Sequence, residues 1–395
     1  MYIGGSTAAA ELAAIGPWQA KAPAITREER LLRVTKARAL TDAMGADALL
    51  INAGASLRYF AGVTWGATER LVAMLLPVRG EPIVFCPHFE LGSLQAELSF
   101  EVDIRLWQED QNPHALVADA LTGLAARTLA IDPGLSFQMA ERLRLAAPGV
   151  TLVDGAPAID GCRMRKSPAE IALMQQAKNM TLEVHRRAAQ ILAPGITTTE
   201  VKRFIDEAHR AMGAAGSTFC IVQYGRATAF PHGLPGEQRL AEGDLVLIDT
   251  GCTIEGYHSD ITRTYAFGEP SDEMRAIWDL EKEAQAAAFA AAVPGAPCES
   301  VDNAARAVLA KAGLGPDYRL PGLPHRTGHG IGLSIHEPAY LVRGDRTPLD
   351  TGMCFSNEPM IVVPDRFGVR LEDHFYMTET GPRWFTEPQP AIDRL

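Results

Sequence analysis

The chain has 395 residues, of which 47% are hydrophobic and 22% are charged, with a formal net charge of −11. This length indicates one large domain or two of ordinary size, and the apolar fraction is sufficient for two cores. The acidic balance and the lack of a basic stripe argue against a nucleic-acid or anionic-membrane partner. No apolar run reaches the roughly 18 residues that a membrane helix needs, and the N-terminus lacks the basic region of a signal peptide. The six scattered cysteines are typical of reduced thiols, so a cytoplasmic protein is expected.

The first part of the chain alternates between predicted strands and helices. A capping-box spacing begins at Thr26 and predicts a helix that ends near Met44. Short strands are predicted at 47–52, 71–77, 82–85 and 129–131, and helices near Leu91, near Ala115 and at 137–145. This alternation predicts an α/β domain that ends near Gly161.

A second unit is predicted to begin with a strong helix start. Ser167 is placed as the N-cap, Pro168 at the first helical position, and Glu170 completes a capping box, so a helix is expected to about Leu192. The boundary therefore falls between Asp160 and Ser167. The predicted domains are 1–163 and 164–395.

A weak internal repeat runs through the second unit. Pro-Gly pairs at 194–195 and 294–295 each precede an amphipathic helical segment. Residues 243–249 and 352–358 are each a glycine followed by a strand-like run that ends in an acid. If a pseudo-two-fold axis relates the two halves of this unit, the terminal acids of the two runs face that axis. A pair of metal ions on the axis would then take ligands from both halves.

Four acids and one central histidine lie in five short segments of this unit. They are Asp249 in LIDTG, Asp260 in HSDITRT, His329 in HRTGHGIGLSIHE, Glu358 in NEP and Glu372 in RLED. Four carboxylates and one imidazole are too many oxygen ligands for a closed structural zinc site. They suit two adjacent divalent ions that share carboxylates, which indicates a hydrolase.

The spacing of the acids is compatible with this interpretation but does not require it. Asp249 follows an apolar run and Asp260 follows a turn, so an antiparallel pair would place both on one side of a sheet. Each acid alone is equally compatible with a solvated turn. Arg370 and Glu372 alternate onto one strand face, where a guanidinium would suit a substrate carboxylate, although a surface ion pair gives the same pattern.

Histidines are concentrated in one glycine-rich segment. His325, His329 and His336 lie within twelve residues, among glycines that let the backbone approach a ligand closely. Three histidines beside separate acids favour a functional site over a hydrogen-bonded loop. His232 stands alone, and by itself its pattern favours a structural role.

The order and spacing of IDTG, GYHSDITRT, HRTGHGIGLSIHE, SNEP and VRLEDH resemble the metallopeptidase family of prolidases, aminopeptidases P and methionine aminopeptidases, which also includes creatinase. The resemblance spans roughly residues 167–380. A weaker one, carried by LLINAGASLRYFAGVTWGATERLV, is to the creatinase-type N-terminal domain. Together, the two resemblances imply an α/β (α+β) protein, with a creatinase-type N-terminal domain followed by a pseudo-two-fold "pita-bread" catalytic domain.

The resemblance also implies the roles of individual residues. Two divalent ions, usually manganese, cobalt or zinc, are expected on Asp249, Asp260, His329, Glu358 and Glu372. Two of these ligands, Asp260 and Glu372, would touch both ions. His232 and His336 match histidines around the scissile amide, while His325 and Arg370 match groups around the proline and its carboxylate. Because all five ligands are present, creatine hydrolysis is disfavoured.

One departure from the family pattern concerns the residues after Glu358. Prolidases and aminopeptidases P usually read E-P-G-x-Y there, whereas this chain has Met360 for the glycine and Val362 for the tyrosine. A hydroxyl that normally lies beside the reacting centre is therefore missing. Tyr224 and Tyr340 are the named candidates for a compensating donor.

The predicted function is that of an Xaa-Pro dipeptidase, with Glu358 as general base, His336 as oxyanion stabiliser and His232 near the leaving imide nitrogen. The alternatives are an Xaa-Pro aminopeptidase on longer peptides, a small-molecule lyase, and a binding protein without catalysis. The resemblance also suggests a homodimer, for which the aromatic stretch from Tyr59-Phe60 to Trp65 is a candidate edge, with core packing as the alternative.

Overall fold

The computed structural model describes residues 3–395, which form two compact units. One unit is Ile25–Arg163, and the other combines the residues up to Ala24 with Met164–Leu395. Within the described range, no helix is both long enough and apolar enough to cross a bilayer. The domain ranges 1–163 and 164–395 remain a prediction.

The first described residues belong to the larger unit. The helix α1 (Ala8–Ala13) lies in this segment. The Gly4 amide donates to the Ala189 carbonyl at 2.8 Å, and the Trp18 amide donates to the Met212 carbonyl at 2.9 Å. Apolar side chains of the segment, Ile3, Leu12, Ile15 and Trp18, pack against the core of that unit.

The smaller unit is built on one six-stranded sheet. Its strands are β1 (Ala48–Asn52), β2 (Ala73–Pro77), β3 (Ile83–Pro87), β4 (Asp103–Trp107), β5 (Thr128–Ile131) and β6 (Thr151–Asp154). Its helices are α2 (Arg27–Ala43), α3 (Ala55–Ala61), α4 (Leu91–Glu97), α5 (Pro113–Gly123), α6 (Phe137–Ala146) and α7 (Ala156–Arg163). The strand order is β4-β3-β2-β1-β5-β6, with β1 antiparallel to β2 and parallel to β5. The elements predicted from the sequence are confirmed, whereas α3, α7, β4 and β6 were not predicted.

The aromatic stretch of this unit is part of its interior. Tyr59 and Phe60 lie in α3 with 3% and 0% of their surface exposed. The Tyr59 hydroxyl donates to the Cys162 carbonyl at 3.0 Å. Trp65 is half-buried, and its indole donates to the Glu97 carboxylate at 2.8 Å. Core packing, rather than an intermolecular edge, therefore explains Tyr59 and Phe60.

The larger unit combines long helices with several small sheets. Its helices are α8 (Pro168–Gln190), α9 (Thr198–Ala211), α10 (Asp272–Ala291) and α11 (Glu299–Lys311). Its strands are β7 (Phe219–Tyr224), β8 (Leu245–Gly251), β9 (Thr253–Ile254), β10 (Tyr257–His258), β11 (Ile261–Ala266), β12 (Gly328–Gly330), β13 (Glu337–Leu341), β14 (Cys354–Asn357), β15 (Met360–Val363), β16 (Phe367–Arg370), β17 (Asp373–Thr378) and β18 (Gly381–Trp384). They form sheets β11-β8-β7 and β13-β12-β14-β17-β18 and the hairpins β9-β10 and β15-β16. The predicted capping box at Ser167 is present at the start of α8.

The internal repeat has matching local structure in both halves. Gly195 and Gly295 have φ of +83° and +81°, a left-handed conformation that favours glycine. The Gly195 amide donates to the Leu240 carbonyl, and the Gly295 amide donates to the Leu349 carbonyl, both at 2.8 Å. Each turn is thus closed in the same way before its helix, α9 or α11. The two halves of the repeat therefore share the same turn geometry, as the predicted pseudo-two-fold requires.

Candidate active site

Two of the predicted acids occupy equivalent positions in the two halves of the internal repeat. Gly243 and Gly352, with φ of +86° and +85°, turn the chain into β8 and β14 respectively. Asp249 lies in β8, and Glu358 follows directly after the last residue of β14. Each half therefore contributes one carboxylate at the same distance along the chain, six residues after its turn glycine.

Two more acids are held beside Asp249 through one threonine. In the antiparallel pairing of β8 with β11, Thr262 is opposite Asp249, and Asp260 immediately precedes β11. The Glu372 amide donates to the Thr262 carbonyl at 3.1 Å, and the Thr262 hydroxyl donates to Glu372 Oε2 at 2.7 Å. The sequence analysis did not single out Thr262, although its two-residue spacing from Asp260 was a usable signal.

His329 enters the same cluster from the other sheet, in β12. Its Nδ1 lies 3.0 Å from the Gly330 carbonyl, so this nitrogen carries the proton and leaves the Nε2 lone pair available for a metal. The His329 Nε2 lies 3.1 Å from Glu358 Oε1 and 3.8 Å from Asp260 Oδ2. The Ser356 hydroxyl accepts from the His329 amide at 2.9 Å and fixes the backbone there.

The glycines around His329 are required by close backbone approach. A Cβ at Gly328 would lie 2.1 Å from the Ser356 carbonyl oxygen, and a Cβ at Gly330 would lie 2.4 Å from the Glu337 carbonyl oxygen. Both distances are too short for any side chain. The glycine-rich pattern therefore reflects strand packing that places the histidine.

The donor set fits divalent cations. Ligand atoms of Asp260, His329 and Glu372 all lie within 4.8 Å of one another. One carboxylate oxygen each of Asp249, Asp260 and Glu372 is buried and accepts no hydrogen bond from the described residues. Burial, followed by repulsion among the neighbouring carboxylates, raises the pKa of Asp260 and Glu372 well above their ordinary values. Such crowded, unpartnered acids are costly alone and are stabilised by bound cations.

A cavity of about 470 Å³ opens beside this cluster. Its walls are Pro231, His232, Pro324, His325, Arg326, His336, Glu358 and Arg370. The His336 and His329 rings are in edge contact, with centroids 4.2 Å apart. Burial, with His329 and Arg326 nearby, lowers the pKa of His336 to about 4, so its imidazole is neutral at pH 7. The structure thus brings together all the predicted site residues, whose catalytic and ligand roles remain predictions.

Arg370 reaches the cavity but is already engaged. Its Nη2 donates to Asp249 Oδ2 at 2.6 Å, its Nε to the Thr262 hydroxyl at 3.1 Å, and its Nη1 to the Pro231 carbonyl at 3.1 Å. Only 3% of Arg370 is exposed. In this structure, therefore, Arg370 orients an acid of the cluster.

The departure from the tyrosine pattern is accommodated by packing. Val362 is 4% exposed, lies in the apolar core of the unit, and exchanges backbone hydrogen bonds with Gly322. Tyr224 lies in a separate apolar core, and neither Tyr224 nor Tyr340 is among the residues that line the cavity. Neither tyrosine is placed as the compensating donor.

The fold and the acid–histidine cluster define a metal-dependent peptidase of two-unit architecture. Residues 172–379 match "Metallopeptidase family M24", and residues 33–165 match "Creatinase/Prolidase N-terminal domain". The chain belongs to metallopeptidase family M24, whose members use two divalent metal ions, typically manganese, cobalt or zinc.

Individual relatives share nearly the whole chain. It is 39% identical over 353 residues to "Probable dipeptidase PepE" of Mycobacterium bovis, covering 88% of this chain and 92% of the relative. It is 34% identical to an Xaa-Pro dipeptidase of Lactobacillus helveticus, covering 84% and 90%. The crystal structure of dipeptidase PepE from Mycobacterium ulcerans superposes with a TM-score of 0.87 at 38% identity, covering 93% of this chain and 98% of that one.

Proposed function

We propose that the protein is a cytoplasmic Xaa-Pro dipeptidase, which hydrolyses the peptide bond before a C-terminal proline. The observation that carries the proposal is the cluster of buried acids and His329 opening onto a histidine-lined cavity. The similarity to a dipeptidase and to an Xaa-Pro dipeptidase supports the substrate class.

The acids of the cluster would hold two divalent ions, which would supply a hydroxide nucleophile at neutral pH by lowering the pKa of a shared water. Glu358 lies at the boundary between this cluster and the cavity, which supports its proposed role as the general base. His336 would donate to the developing oxyanion. His232 borders the same cavity and would face the leaving imide nitrogen.

The size of the cavity is compatible with a small substrate. Its volume of about 470 Å³ lies toward the lower part of the usual range of ligand pockets, roughly 300–1,000 Å³. Two arginines, Arg326 and Arg370, border it, and Arg326 supplies positive charge for a free carboxylate because Arg370 is paired with Asp249. His325 also lines it, as expected for a group around the proline.

A substrate panel tests the proposal. Dipeptides and tripeptides with proline at the second position would be assayed with manganese, cobalt and zinc added separately. We expect hydrolysis of the dipeptides, with a much lower kcat/KM for the tripeptides. Comparable kcat/KM for both lengths would instead identify an Xaa-Pro aminopeptidase, and no cleavage before proline would reject both.

The proposal includes a homodimeric assembly, which rests on the family resemblance. Light scattering at micromolar concentration would measure the mass in solution. A mass of twice the 42.6 kDa chain is expected, and a monomer would reject this part of the proposal.

A further inference from the structure

Among the residues that the structure describes, one cation of the substrate cavity has no acidic partner. Arg326 is half-buried in the cavity wall. Within residues 3–395, no carboxylate lies within ion-pair distance of its guanidinium, and no described group accepts a hydrogen bond from it. The guanidinium of an arginine in a cavity wall has five N–H donors, which match the acceptor atoms of an anionic ligand.

The second cation of the cavity differs in this respect. Arg370 forms a 2.6 Å ion pair with Asp249 and also donates to Thr262 and Pro231. To bind a substrate carboxylate in place of Asp249, Arg370 would have to abandon a buried acid, which is costly. The charge available to a ligand is therefore concentrated at Arg326.

The orientation of Arg326 is also fixed. Its guanidinium carbon lies 4.5 Å from the centroid of the Tyr340 ring, a cation–π distance. A guanidinium that lies over a ring face can still donate through its N–H edge to a planar carboxylate. His325, the preceding residue, donates its Nδ1–H to the Arg326 carbonyl at 2.7 Å, which ties the backbone of Arg326 to the cavity wall.

From this arrangement we infer that Arg326, supported by Tyr340, binds the free α-carboxylate of the dipeptide and so determines the preference for dipeptides over longer chains. Arg370 then acts as a positioning residue for Asp249. This inference rests on the proposed peptidase function and names the group that recognises the substrate terminus.

The test compares an acid with its amide on one scissile bond. Ala-Pro and Ala-Pro-amide differ only in the terminal charge, and both would be assayed with the metal-loaded enzyme. Arg326→Gln is expected to lower kcat/KM for Ala-Pro by about 10- to 100-fold, mainly through KM, because one charge-assisted interaction is lost. For Ala-Pro-amide the change should be less than about threefold. Arg326→Lys should recover part of the loss.

Two further variants separate local from general effects. Tyr340→Phe keeps the ring and should retain the preference for the acid, whereas Tyr340→Leu removes the stacking partner and should weaken it. Arg343→Gln is the matched control, because Arg343 is a half-exposed arginine paired with Asp317 outside the cavity wall. Arg343→Gln should leave kcat/KM unchanged for both Ala-Pro and Ala-Pro-amide.

Each result has a defined meaning. An equal loss on acid and amide, or no loss on either, overturns the role of Arg326. Failure of the unmodified enzyme to cleave Ala-Pro rejects the proline specificity, and the comparison is then made with Ala-Ala and Ala-Ala-amide. If none is cleaved, calorimetry with L-proline and L-prolinamide decides: the inference requires tighter binding of L-proline that is lost in Arg326→Gln.

Discussion

The replacement of the family tyrosine by Val362 leads to a specific prediction about the hairpin β15-β16. In its register, Val362 is opposite Gly368 and Met360 is opposite Arg370, so the side chains of Val362, Met360 and Arg370 project to the same face of the hairpin. The Met360 methyl lies 2.8 Å from the position a Cβ would take on Gly368. The methionine therefore fills the space over Gly368 that a ring at position 362 would need.

Val362→Tyr alone should be poorly accommodated. Val362 is 4% exposed and Met360 is fully buried, so the added ring must displace packed atoms. Overpacking of this kind costs about 1–3 kcal/mol of the free energy of unfolding. We expect a matching fall in stability and a change in kcat of less than about tenfold in either direction, because the phenol cannot reach its place.

The double variant Met360→Gly/Val362→Tyr should relieve this conflict. Removing the thioether opens the space over Gly368, so the two substitutions should couple by more than about 0.5 kcal/mol in a double-mutant cycle. The measurements are denaturant unfolding and steady-state kinetics on Ala-Pro, with Met360→Gly alone as the control. A rise of a hundredfold or more in kcat for Val362→Tyr by itself would refute the reasoning, because it would show that the ring fits and that the native site lacks a needed donor.

Three further predictions concern the metal cluster, a buried ion pair and acid stability. Asp260→Ala or Glu372→Ala should abolish turnover and the binding of two metal ions, the latter measured by elemental analysis. The melting temperature of the metal-free protein should not fall, because each variant removes a crowded buried acid. Two ions retained in either variant would show that the ligands are misassigned. Lys166→Met should lower the free energy of unfolding by about 3–5 kcal/mol, because the Lys166–Glu337 ion pair is 2.6 Å long and its side chains are only 2% and 6% exposed. The double variant Lys166→Met/Glu337→Gln should recover much of this loss. An unchanged denaturation midpoint in Lys166→Met would contradict the prediction. Burial lowers the pKa of His209 from 6.5 to about 4, so the unfolded chain binds a proton that the folded imidazole does not. Stability should therefore fall as pH drops from 6.5 to about 4, by roughly 3 kcal/mol, and His209→Gln should show a shallower pH dependence of unfolding; equal slopes would argue against a neutral buried His209.

The sequence determined much of the local structure and the chemistry of the site. The helices α2 and α8 carry their start signals at Thr26 and Ser167 in neighbouring residues, so local hydrogen bonding was sufficient to predict them. The acids and histidines could be recognised because residue type and spacing fix which donors are available. The edge strand β4 was not predicted, because most of its residues are only partly buried and their burial does not alternate along the strand.

The tertiary structure decided which of these side chains are free and which are engaged. Arg370 and Arg326 are both arginines beside site residues. Only distant contacts show that Asp249 neutralises Arg370, whereas among the described residues Arg326 contacts the Tyr340 ring and has no acidic partner. Likewise, only the tertiary structure shows that Val362 packs among buried apolar residues and pairs its backbone with Gly322. Charge pairing and burial depend on residues far apart in the chain, and for that reason the sequence supplied the reacting groups while the fold assigned their partners.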